Sequence, residues 1–167
     1  RLHPKGRAFR EDGDSADERM DLPAEWKGVP IGLLFVVQGG SAFKSGDYTD
    51  AGVPLMHIAD IVNGGVAFGS NTAFLPDFYL REFHDFAVNH DDIVIALSGA
   101  TTGKFGVYSQ EQKALLNQRV GRFQPYLPLP SLCRYLLNYL HIVREEVLRR
   151  AYGAAQPNIS TKQLAQF

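Results

Sequence analysis

The sequence predicts an α+β fold, and three observations lead there. Short apolar runs recur between residues 31 and 123, each bounded by Gly, Asn, Asp or Pro, as strands are. One long helical pattern follows them, after residue 130. The chain has 167 residues, 45% hydrophobic and 21% charged. That balance suits one domain able to bury enough apolar surface to offset chain entropy.

The first 21 residues are charged, poor in apolar side chains and without period, which predicts a linker or tail ahead of a single domain at 22–167. The apolar stretch Ile31 to Val37 reads as a strand, or as a short helix followed by a strand. GGSAFKSGDYTDAG, residues 39–52, is a loop by composition. VPLMHIADIV, residues 53–62, reads as a buried strand with His57 inside it, satisfied within the core. The Asn63-Gly64-Gly65 turn follows, since Asn and Gly tolerate positive φ. Residues 65–88 carry scattered aromatics and no clean period, and predict a short strand, a loop and a helical turn.

A strong strand, Ile93 to Leu97, then runs into a Gly-rich reversal and a partner strand, Lys104 to Tyr108. Two more short strands are expected around Leu115-Leu116 and Val120 to Phe123. From Ser131, a plausible N-cap, apolar residues recur at three- and four-residue spacing up to a stop at Gly153. They predict one amphipathic helix about 33 Å long at about 1.5 Å per residue, packed on the strands. Ser160-Thr161-Lys162-Gln163-Leu164 could begin a further helix or an edge strand.

The reversal, LSGATTGKFGVY, resembles a phosphate-binding loop only superficially. That loop needs two glycines five apart, then Lys, then a Ser or Thr to hold magnesium, then a helix. Gly99 and Gly103 are four apart, Phe105 follows Lys104, and a strand follows in turn. The reversal is therefore expected to be a hairpin with no bound nucleotide.

Composition excludes several function classes. No apolar run reaches the roughly 20 residues that span a bilayer, and RLHPKGRAFRED is not a signal peptide. The expectation is a cytoplasmic chain with no membrane partner. A start without Met and an end at STKQLAQF suggest a piece of something longer. Cys133 is the only cysteine, which leaves no disulfide framework or cysteine-based zinc site, and it reads as a small apolar packer. The five histidines show no metal-binding spacing. Asp91-Asp92 and Glu145-Glu146 are neighbours in sequence that point apart, and no Ser sits in a GxSxG elbow. A glycine-rich methyl-donor loop and an Asn/Asp-Pro-Pro-aromatic motif are also missing, so no catalytic set and no metal site are expected.

The net charge of −1 conceals a division. Residues 1–103 hold 8 Lys and Arg against 15 Asp and Glu, a net −7, whereas residues 104–167 hold 9 against 3, a net +6. A solvated helix face carrying Arg144, Arg149 and Arg150 explains that gradient as well as a phosphate patch does.

Four stretches in succession carry a resemblance: SGDYTDAGVPLMHIADI, DDIVIALSGATTGKFGVY, LLNQRVGRFQP, and YGAAQPNIS after the long helix. Together, over roughly residues 22–167, they resemble the target recognition domain of type I restriction-modification specificity subunits. The resemblance implies a twisted, largely antiparallel sheet backed by helices, with no nucleotide at the Gly-rich reversal. It implies a non-catalytic module that reads one half of a bipartite double-stranded DNA target, docked to methyltransferase subunits and, through the complex, to restriction and translocase subunits. No cofactor is expected in this chain. S-adenosylmethionine, ATP and Mg would serve the partner subunits.

Reading loops differ greatly within that family, so candidate contacts rest on chemistry and placement. They are Lys44, Ser45 and Tyr48 in the 39–52 loop, Asn63 and Asn71 in turns, and Thr101, Thr102 and Lys104 at the reversal. Asn117, Gln118 and Arg119 form a second tier. Asn and Gln pair bidentately with adenine, Arg with guanine, and basic side chains touch phosphates. Two other readings remain open on the residues: the recognition part of a fused restriction-methyltransferase polypeptide, or a protein-docking domain with no DNA role.

Overall fold

The computed structural model describes residues 25, 27–62, 64–152 and 157–167. The expected tail at 1–21, the turn residue Asn63 and the helix stop Gly153 lie outside the described residues. A 3-10 turn at Ile31–Leu33 leads into strand β1, Phe35–Gly39, so the first apolar run is a short helical turn and then a strand. The other strands are β2 Val53–Met56, β3 Ile61–Val62, β4 Gly64–Val66, β5 Ala73–Leu75, β6 Ala87–Val88, β7 Ile93–Ala96, β8 Phe105–Val107, β9 Ala114–Leu116 and β10 Val120–Pro125. The helices are α1 Tyr79–Glu82, α2 Pro130–Ile142, α3 Arg144–Ala151 and α4 Thr161–Ala165.

The strands form two sheets rather than one. The larger has the order β1-β10-β7-β8-β4-β3 and the smaller β5-β2-β9-β6. All pairings are antiparallel except β2 with β9 and β4 with β8. Strand β7 shows why its sequence is continuously apolar. Ile93 and Ile95 face a core shared with Leu136, Leu140, Val147 and Leu164 of the helices. Val94 and Ala96 face a second core shared with Met56, Val88, Ala114 and Leu116 of the smaller sheet. A strand covered on both faces loses the polar alternation of a half-exposed one. The outer face of the smaller sheet, Val53, Leu55, Leu75 and Leu115, is roofed by Phe43, Tyr48, Tyr79, Phe83 and Phe86, which accounts for the aperiodic aromatics of that region.

Three expectations need correction. The single helix is two, because the backbone breaks at Val143 (φ −88°, ψ 6°). The bend leaves the apolar spacing intact, since Leu136, Leu140, Val147 and Ala151 are all buried, so periodicity alone could not reveal it. It turns α3 onto the reversal, where a Cβ at Gly103 would meet Leu148 at 3.3 Å. The N-cap is Leu129, not Ser131, with Pro130 at the first helical position, where the missing N–H removes no intrahelical bond.

His57 lies beyond β2, not inside it. Its N–H donates to Asp60 Oδ2 at 2.7 Å in a capping box that opens a 3-10 turn at Ile58–Asp60. The last open alternative resolves as a helix. The Ser160 hydroxyl accepts from the Gln163 N–H at 3.2 Å, and the Ser160 N–H donates to Gln163 Oε1 at 2.9 Å. This reciprocal cap starts α4 and seats Leu164 in the core.

Candidate nucleic-acid interface

Strand direction brings most of the candidate residues to one end of the molecule. Gly39 at the end of β1 pairs with Gly121 near the start of β10, and Val120 pairs with Ala96 at the end of β7. Ile95 pairs with Phe105 at the start of β8, and β4 starts beside it, Gly64 against Gly106. The 39–52 loop, the 117–119 turn and the 98–104 reversal therefore leave the larger sheet at the same end, where Gly64 begins β4. In the smaller sheet Leu55 pairs with both Leu115 and Ala73. His57, Asn117 and the turn carrying Asn71 accordingly share one end of it.

Main-chain bonds lock these loops together. Gly40 N–H donates to Val120 O at 2.9 Å, Ser41 N–H to Leu116 O at 3.0 Å, Asn117 N–H to Met56 O at 3.1 Å and Leu97 N–H to Arg119 O at 2.8 Å. The approach is close enough that a Cβ at Gly40 would collide with the Asn117 carbonyl. The C-terminal segment joins the same assembly, with Gly99 N–H on Pro157 O at 3.1 Å and Ile159 N–H on Leu97 O at 2.8 Å.

The reversal is a tight turn, with Gly99 at φ +87° and Gly103 at φ +78°, where a Cβ would be strained. The amides of Gly99, Thr102, Gly103 and Lys104 each donate to a backbone carbonyl. They offer no nest for a phosphate, in agreement with the failed sequence test.

The candidates divide by exposure. Lys44, Ser45, Asn71, Lys104, Gln118 and Arg119 are exposed, and Tyr48 is half-buried, its ring edge-on to His57 at 6.5 Å. Two others face inward. Thr102 is 6% exposed, its hydroxyl 2.6 Å from Gly99 O and 3.2 Å from Pro157 O. Asn117 is 9% exposed, and its Nδ2 lies 3.4 Å from His57 Nε2. Both serve the scaffold of the turns. Thr101 is half-buried, and its hydroxyl has no hydrogen-bond partner among the described residues. Asn63 is outside the described residues; of its neighbours, Val62 pairs with Gly65 and Gly64 has φ +78°.

Sequence reasoning missed Arg122. It is 4% exposed and holds β10 to its surroundings. Its guanidinium donates to Ala87 O, to Gln38 Oε1 at 2.8 Å and to Asp85 O at 3.2 Å, and it lies 3.3 Å from Asp92 Oδ2. The available signal was a lone charge at an inward position of the apolar strand VGRF. Burial pushes the Cys133 thiol above its ordinary value, with Asp92 and Asp91 adding to the rise, which fits an inert packing role. No three His, Cys, Asp or Glu among the described residues gather as metal ligands. Among the same residues no helix is long and apolar enough to cross a membrane.

Residues 23–167 match the family model for the type I restriction modification DNA specificity domain. The MjaVIII type I restriction enzyme specificity subunit of Methanocaldococcus jannaschii is 29% identical over 168 residues, 96% of this chain and 39% of the relative. The EcoAI specificity subunit of Escherichia coli is 31% identical over 155 residues, 89% of this chain and 26% of the relative. Among solved structures, a chain from a study of complex assembly and conformational transition of the type I R-M system superposes with a TM-score of 0.66 at 19% identity, covering 90% of this chain and 35% of that one. The HsdS subunit of Thermoanaerobacter tengcongensis superposes with a TM-score of 0.63 at 18% identity, covering 91% and 34%. This chain thus spans about 39% or less of the relatives it matches. With the match running through the sheets, the reversal and the C-terminal helices, the chain belongs to the type I restriction modification DNA specificity domain family.

Proposed function

We propose that this chain reads one half of a bipartite double-stranded DNA target as a non-catalytic part of a type I restriction-modification assembly. The observation that carries this reading is the convergence, at one end of both sheets, of loops presenting Lys104, Asn71, Gln118 and Arg119 to solvent. Gln118, Arg119 and Asn71 have the donor and acceptor sets that distinguish base edges in the major groove, and Lys44 and Lys104 suit phosphates. Ser45 and Tyr48 complete the 39–52 loop. Thr102 and Asn117, turned inward, hold the loops in shape, and Asn63 remains a candidate on its chemistry.

In this reading catalysis belongs to partner subunits in the cytoplasm. Methyl transfer from S-adenosylmethionine falls to the methyltransferase subunits, and ATP- and Mg-dependent translocation and cleavage to the restriction subunits. The test is to map methylated adenines in cells with and without the intact gene. Binding of the purified complex to the mapped duplex is then compared with binding to a duplex whose half-site is scrambled. Loss of affinity on scrambling supports the reading, and equal affinity for both duplexes rejects it.

A further inference from the structure

The three arginines of α3 are not equivalent. Glu146 lies 2.7 Å from Arg149 Nε and 2.6 Å from Arg150 Nε, and together these bonds hold its carboxyl below the ordinary value despite the opposing effect of burial. Arg149 and Arg150 therefore share one carboxylate, which offsets one of their two positive charges within the helix. Arg144 forms no ion pair among the described residues, and neither does Lys104. Both are exposed.

Arg144 and Lys104 line one groove of about 400 Å³, together with Val62, Gly64, Phe105 and His141. The bend at Val143 assembles it. His141 comes from the last turn of α2, its ring edge-on to Phe105 at 4.7 Å, and Arg144 opens α3. Glu145 is the next residue and points to a different face. No carboxylate lines this groove among the described residues. Two other grooves differ. One contains Asp85 together with Lys113 and the already bonded Arg122, and another contains Asp91 and Asp92 beside Arg134. Of the three, the Lys104 groove alone combines exposed basic side chains with no carboxylate, as a polyanion requires, and it abuts the reversal, Val62 and Gly64.

We propose that this groove grips the sugar-phosphate backbone of the same duplex, with Arg144 and Lys104 on phosphates and His141 walling the site. The helix pair then belongs to the DNA interface alongside the loops. The inference rests on the DNA-reading function proposed above and assigns the helix junction to affinity rather than base choice. A phosphate contact strengthens binding to every sequence alike and steepens its salt dependence, because it releases counterions from the duplex.

The experiment compares Arg144→Gln with Arg150→Gln in the intact complex, on the mapped target and on a mixed-sequence duplex, over a series of salt concentrations. Both substitutions remove one exposed positive charge, and thermal melting confirms that both variants fold. Arg144→Gln is expected to weaken binding to both duplexes by a similar factor, on the order of 5- to 10-fold, and to lower the log-log salt slope by about 1. Arg150→Gln is expected to leave the slope as it is.

Equal effects of the two variants would overturn the proposal, as would an unchanged slope for Arg144→Gln in a complex that still discriminates its target. A change in the ratio of target to mixed-sequence affinity would replace backbone contact with base reading. Weakened subunit assembly on sedimentation, with DNA binding by assembled complex unaltered, would assign the groove to a protein carboxylate instead. A wild-type complex that fails to discriminate target from mixed sequence removes the DNA-reading function itself, and this inference with it.

Discussion

The two ends of the larger sheet are built from the same strands and are chemically unlike. At one end the loops after β1 and β7 and the turn before β10 present Lys44, Lys104, Gln118 and Arg119. At the other, Tyr126 N–H bonds Leu34 O at 3.0 Å and Asp91 N–H bonds Tyr108 O at 2.8 Å. That second end exposes Leu33, Tyr126, Leu127 and Leu129 near the carboxylates Asp91 and Asp92. A duplex carries about one negative charge per 1.7 Å of axis, so the exposed Lys44, Lys104 and Arg119 suit the first end to it. The second end offers apolar side chains and carboxylates instead, Asp92 among them already paired with Arg122. Strand direction, not position along the chain, decides which charges share an end: Lys44 from the acidic part of the sequence joins Lys104 and Arg119, while Arg134 from the basic part lies beside Asp91 and Asp92.

Arg122 lies between the ends and tests whether they share one scaffold. Arg122→Leu leaves Gln38 Oε1 and the Ala87 carbonyl without this donor and Asp92 with only the Asn89 amide among the described residues, and should cost about 3–5 kcal/mol in denaturant unfolding. Both ends should be lost in a single transition. Separate transitions for the DNA-binding activity and the fold would show that the ends are independent.

Gly40→Ala targets the loop end alone. The added methyl meets the main chain at Asn117, so the turn must move, and a loss on the order of 2–3 kcal/mol is expected by thermal melting. DNA discrimination should fall more than the helix signal does. Gln118→Ala acts without touching the scaffold. It should relax sequence choice by about 1–3 kcal/mol at one base position, read from binding to single-substitution duplexes, while the melting temperature stays the same.

A smaller effect is expected at Asp60, whose carboxyl burial holds above the ordinary value in spite of its bond from the His57 amide. A raised acid binds its proton more tightly in the folded state than in the unfolded one. Its stabilising contribution is therefore complete below the unfolded pKa and is lost as pH rises through the folded pKa. Asp60→Asn keeps an acceptor for the His57 amide and removes that titration, so its melting temperature should change less across this interval than that of the wild type. Smallest of all, Tyr126→Ser at the opposite end should leave target affinity unaltered in direct binding measurements. A clear loss there would contradict the assignment of the ends.

Much of the fold was legible because its signals are local. The Gly99–Gly103 reversal and the short strands around Leu115-Leu116 and Val120 to Phe123 each declare themselves within a few residues. Residues 160–164 instead leave helix and edge strand open, and the Ser160 cap decides for the helix. The helix break at Val143 did not declare itself, since a one-residue bend preserves the spacing of Leu140 and Val147. The second sheet was hidden for a different reason. Its parallel pair, β2 with β9, joins residues about 60 apart, and no turn signal connects them. Exposure at the candidate site was equally non-local. Asn117 and Gln118 are neighbours of similar chemistry, yet the bond from Asn117 to Met56 O takes one inward and leaves the other outside.

The bonds that fasten the loop end run from backbone to backbone: Gly40 to Val120, Ser41 to Leu116, Leu97 to Arg119 and Gly99 to Pro157. Atoms common to every amino acid hold the frame, and the outward side chains contribute little to it. Replacement of Lys44, Gln118 or Arg119 by other polar residues therefore puts almost no folding energy at risk. On the proposed DNA-reading function, a lineage under pressure to change its recognised word can alter those letters one at a time while the page they are written on stays intact.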